Sequence, residues 1–90
     1  MFHSLTFHGG EATIAWSYHT AAVCRRWTLR RAAQGRWTLE ASLQRADPFR
    51  LRQQPLRFAI PRKGGYYCFP VLNVTLAEKS LTATLGPLEA

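Results

Sequence analysis

Apolar and polar residues alternate with period two along most of this chain, the pattern of strands that turn one face to a core. Phe7 lies on one side of Gly9-Gly10, and Ala12 and Ile14 lie on the other. A two-residue turn at these glycines would pair His8 with Glu11, Phe7 with Ala12, Leu5 with Ile14 and His3 with Trp16. Further on, Arg-Trp-Thr-Leu occurs at Arg26 to Leu29 and again at Arg36 to Leu39. With Ala32 to Gln34 as the loop and Gly35 in a left-handed bulge position, Trp27 would face Leu39 and Leu29 would face Trp37, all on one side.

A helical reading competes in this region. Thr20 could cap a helix ended by Gly35, and "LEASLQRA" before Asp47-Pro48 consists largely of good helix formers. Arginines interrupt any apolar stripe at helical spacing, which favours a strand over Val23 to Arg31 and leaves Leu39 to Ala46 divided between strand and helix. Pro48 and Pro55 bracket "FRLRQQ" as an irregular or edge segment.

Leu56, Phe58 and Ile60 then alternate with Arg57 and Ala59. A five-residue loop "PRKGG" would set Ile60 opposite Tyr66 and Phe58 opposite Cys68, leaving Tyr67 and Phe69 as exposed rings. Pro70 marks a bulge or bend. Ala77 to Ser80 form a last loop pairing Leu76 with Leu81, Val74 with Ala83 and Leu72 with Leu85, with Asn73, Thr75, Thr82 and Thr84 on the polar face. Four hairpins in succession predict a single all-β domain over residues 1–90. Its small antiparallel sheet is expected to curl into a partly open barrel or sandwich, with a short helix near Leu39 to Ala46 as the one alternative.

Composition agrees with a chain that folds alone. Ninety residues, 47% of them hydrophobic and eleven aromatic, support one modest core and leave no room for a second module. There is no basic segment followed by an apolar run at the N-terminus and no stretch long enough to span a membrane, so a soluble cytoplasmic protein is expected. Cys24 and Cys68 are too few for a disulfide scaffold, and reduced thiols are expected.

Charge narrows the class of partner. The net charge is +7, but Arg25 to Lys63 hold eleven cations against Glu40 and Asp47, a local balance of +9. Ten of the twelve cations are Arg, whose planar fork grips phosphate and stacks on bases. Arg beside aromatic rings is what single-stranded nucleic acid requires. The candidate contact residues are Arg26, Arg30, Arg36, Arg50, Arg52, Arg57, Arg62, Lys63, Tyr67 and Phe69. Arg26, Arg30 and Arg36 would share one exposed face, and the Arg62-Lys63 tip of the "PRKGG" loop is the focal point.

Catalysis finds no support, because the five acids are scattered and no nucleophile has a partner at motif spacing. The histidines and cysteines lack structural-zinc spacing, although a free "MFH" terminus can wrap a copper(II) or nickel(II) ion. The expectation is a non-enzymatic basic module, without cofactor or metal, that contacts DNA or RNA. The alternative is a small adaptor or inhibitor that docks on an acidic protein.

Overall fold

The computed structural model describes residues 6–43 and 54–89. Among these residues there are eight strands: β1 (Thr6–His8), β2 (Ala12–Ala15), β3 (Ala21–Cys24), β4 (Arg26–Arg31), β5 (Trp37–Ser42), β6 (Arg57–Arg62), β7 (Gly65–Leu76) and β8 (Ser80–Leu85), with one short 3-10 turn at Ala33–Gly35. All ladders are antiparallel, in the order β1-β4-β5-β8-β7-β6-β2-β3. The all-β fold read from the alternation is the fold observed. No helix enters Trp37–Ser42, which is strand; residues 44–46, the rest of the competing helical segment, lie outside the described residues.

The first hairpin departs from expectation. β1 pairs with β4 (Phe7↔Leu29) and β2 pairs with β3 (Ala12↔Cys24), so His8 does not face Glu11, and Phe7 does not face Ala12. Partner numbers keep one constant sum from Thr6↔Arg30 to Ala15↔Ala21, so β1 and β2 together line up against β4 and β3 as one long bent hairpin. Its turn is Trp16 to Thr20, where the Trp16 and Ser17 N–H groups both donate to the Thr20 carbonyl. Gly9 and Gly10, at φ 65° and 72°, are the bend in the long strand and not its reversal. The strands at the two ends of the sheet order, β1 and β3, thus lie on opposite arms of one hairpin, which links the two ends of the curled sheet although β1 and β3 do not pair with each other.

β7 makes the second corner. Its first half pairs with β6 and its second half with β8, with a register shift between Val71 and Asn73. Pro70, expected to mark the bulge or bend, keeps a regular place opposite Arg57; the irregularity falls two residues on, at Leu72, and it replaces the Leu72–Leu85 pair by Val71↔Leu85. Leu76↔Leu81, Val74↔Ala83 and the Thr75↔Thr82 face are as read from the sequence. The result is two layers joined at two corners, β1-β4-β5-β8 with the end of β7, and β3-β2-β6 with its start.

Inward residues fill the space between the layers. Ile14, Trp27, Leu29, Leu39, Phe58, Phe69, Leu81 and Leu85 are buried, with Trp27 edge-on to Phe58 at 5.4 Å and Trp37 edge-on to Phe69 at 5.6 Å. Such ring pairs add about 0.5–1.5 kcal/mol each beyond the area they bury. Trp27, Leu29, Trp37 and Leu39 do share one side, but the pairs are Leu29↔Leu39 and Arg31↔Trp37, because the connection is five residues long and closes with Ala32 N–H donating to the Arg36 carbonyl.

The β6–β7 register is corrected as well. The connection is the tight Lys63–Gly64 turn, with Gly64 at φ 82°, and not a five-residue loop. Ile60 therefore faces Tyr67 and Phe58 faces Phe69. A one-residue change in loop placement flips every side chain to the other face. Phe69 is 1% exposed and Tyr67 half-buried, whereas Tyr66, expected inside, is 60% exposed. Leu56 is likewise outside, ahead of the first β6 pair.

Candidate functional site

The ends of β4 and β6 lie at one end of the barrel, connected by a series of rings. Arg31, the last residue of β4, stacks over the ring of its partner Trp37, the guanidinium carbon 5.6 Å from the ring centroid. Arg62, the last residue of β6, lies over Tyr67 at 5.0 Å. Phe7 on β1 joins the two pairs, 5.7 Å from Trp37 and 6.3 Å from Tyr67. The order is cation, ring, ring, ring, cation, running from one loop to the other.

Beneath this series opens a cleft of about 370 Å³, lined by Phe7, Arg31, Gly35, Trp37, Tyr67, Phe69, Pro87 and Leu88. Its position follows from the fold, since β1 has no described strand on the side away from β4 and the rings of β7 face that opening. The volume lies at the small end of the range for small-molecule sites, and the lining is mostly apolar with one cation, Arg31, the usual composition of a binding cleft. Arg36 and Lys63 occupy the two adjoining loops and are exposed. Among the described residues no acid pairs with Arg31, Arg36, Arg62 or Lys63; the ion pairs are Arg30–Glu40 at 3.8 Å and Arg57–Glu89 at 3.3 Å.

The predicted contact residues divide into groups. Arg26 and Arg30 do share the outer face of β4, where Thr38, Glu40, Ser42, Thr82 and Thr84 surround them. Arg36 is not on that face but in the β4–β5 loop. A more open depression of about 360 Å³ lies there between Arg26, Glu40, Ser42 and Ser80, and its charges largely offset one another. Arg57 belongs to the other layer and is held by Glu89. Arg62, Lys63 and Tyr67 are at the cleft end, and Phe69 forms part of the cleft wall while belonging to the core. Arg50 and Arg52 lie outside the described residues, as does His3 of the terminal "MFH".

Sequence reasoning did not single out Phe7, Arg31, Trp37, Pro87 and Leu88. Arg31 carried a usable signal: it sits in phase with Trp27 and Leu29, so an arginine there has to emerge where the inward face meets solvent. Pro87 and Leu88 follow the last strand and gave no such signal.

The outer faces of the two layers differ in kind. Cross-strand rows on the second layer run Val23, Thr13, Ala59, Cys68 and Ala21, Ala15, Arg57, Pro70. Apart from Arg57, which is ion-paired with Glu89, these are small or apolar positions, flanked by exposed Leu56 and Tyr66. Among the described residues no group of three or more His, Cys, Asp or Glu is placed to hold a metal ion, and no helix is long and apolar enough to cross a membrane. No protein family, curated protein or solved structure matches this chain.

Proposed function

We propose that this protein is a non-enzymatic binding module for single-stranded nucleic acid and that the cleft end of the barrel makes the contact. The observation that carries this reading is the pairing of Arg31 with Trp37 and of Arg62 with Tyr67 across one cleft, with Arg36 and Lys63 beside them and no acid partner among the described residues. Stacking on a ring holds each guanidinium in place with its edge free to bond phosphate, so less side-chain entropy is lost on binding. The cations are spread over two loops, which suits a chain of phosphates better than a single anion.

A second reading has its own support. The sparsely charged outer face of β3, β2, β6 and the start of β7 suits an adaptor that docks on a protein, and Arg57 within it and Arg25 beside it would favour acidic residues around the partner's contact patch.

Fluorescence polarisation with labelled single- and double-stranded DNA and RNA, from low to physiological salt, separates the two. The first reading expects micromolar or tighter binding to single strands at about 150 mM salt, several-fold above duplex of equal charge. Binding confined to low salt and indifferent to the form of nucleic acid would reject it in favour of the protein-docking face.

A further inference from the structure

We infer that the cleft between β1 and β7 receives one unstacked nucleobase, while the phosphates on either side of that base are held by Arg31 with Arg36 and by Arg62 with Lys63. This deepens the proposed function and rests on it. The cleft walls are the rings of Phe7, Trp37, Tyr67 and Phe69, closed on one side by Pro87 and Leu88. A volume of about 370 Å³ accommodates a planar one- or two-ring group and not a folded peptide segment. The base edges can bond to the Arg31 guanidinium at the rim, and every base has an apolar face to offer the rings, so such a receptor tolerates any sequence.

Charge placement selects this occupant over a small apolar acid. A lone carboxylate would engage one wall only and leave the opposite cations unused. Here Arg31 lines the cleft over Trp37 and Arg62 lies over Tyr67, another of its wall rings, and each has a second cation adjacent in its own loop. A base with a phosphate on either side matches that symmetry: ring in the cleft, one anion toward each loop.

The test compares a short single-stranded oligothymidylate with the same sugar-phosphate backbone carrying no bases. The two have equal charge, so the abasic strand defines the phosphate-only level. Binding of the base-bearing strand is expected to be roughly fivefold to hundredfold tighter. Leu88→Trp, at a position 46% exposed and beyond the last strand, should occupy the cleft without disturbing the ladder and bring the base-bearing strand down to the abasic level. Leu88→Phe, a smaller intrusion, should fall between.

Equal affinity for the two strands would overturn the base receptor while leaving the phosphate-binding reading standing. A base-dependent gain that survives Leu88→Trp would also overturn it, by placing the stacking elsewhere. Failure of both strands to bind overturns the base receptor and the phosphate-binding reading together.

Discussion

At the scale of single residues, the two thiols illustrate how position sets chemistry. Cys24 faces inward opposite Ala12 and is buried, whereas Cys68 lies on the outer face of β7 and is half-buried. Burial disfavours the thiolate and pushes Cys24 from its ordinary 9.0 to about 11, against a smaller opposing backbone hydrogen bond. The folded pKa is therefore the raised one. Its contribution to stability is intact below about 9, where neither state ionises, and is lost as pH rises from about 9 through about 11, where the unfolded chain gives up its proton first. Urea unfolding over that range should show a steeper alkaline loss for the wild type than for Cys24→Ala; parallel curves would contradict the burial. Residue-scale reading from sequence fared unevenly for a related reason. Tyr66, Tyr67 and Phe69 are all aromatic, so composition could not say which face points inward, and the placement of one turn decided it.

At the scale of elements, hairpins with local signals were legible and the long bent hairpin was not. The β7–β8 loop follows directly from alternation on both sides of "AEKS". Gly9-Gly10 carries the strongest local turn signal in the chain, yet it bends a strand that pairs with residues about twenty positions away. The actual turn lacks glycine and proline and is helped by the Ser17 hydroxyl, which accepts the His19 N–H at 3.3 Å. Two glycines separate backbone strain from packing. At Gly10 an added Cβ meets nothing within 4 Å, but φ is 72°, so Gly10→Ala should cost about 1–2 kcal/mol through strain alone. At Gly86 an added Cβ would lie 2.8 Å from Cγ of Pro70, a rigid ring at the β7 corner. The Gly86 N–H also donates to the Pro70 carbonyl at 2.9 Å, so the two strands cannot part without losing that bond. Gly86→Ala should therefore cost about 1–3 kcal/mol by overpacking, and an additional Pro70→Ala should restore part of it, whereas it should leave the Gly10→Ala deficit untouched. Denaturant midpoints of the three single variants and the two double variants check this, and additive effects at Gly86 and Pro70 would refute the contact.

At the scale of the whole molecule, the fold sorts the charge that the sequence only concentrates. The central excess of cations was visible in the chain, and so was the likelihood of sheet; which arginines become neighbours depends on how the sheet curls. Closure through the bent hairpin brings Phe7 beside Trp37 and Tyr67, although these rings come from β1, β5 and β7. It leaves Arg30 and Arg57 facing acids and Arg31 and Arg62 facing rings. Binding is therefore expected to follow position on the barrel and not net charge. The most direct measurement is the salt dependence of single-strand affinity for the wild type and two variants of equal charge, Arg31→Gln with Arg62→Gln, and Arg26→Gln with Arg30→Gln. The cleft pair should weaken binding and flatten the plot of log K against log salt by about 1.4, the share of two phosphate contacts, while the sheet-face pair leaves the slope close to wild type. Equal flattening by both pairs would show that the arginines act as a diffuse coat, and would contradict the assignment of binding to the cleft.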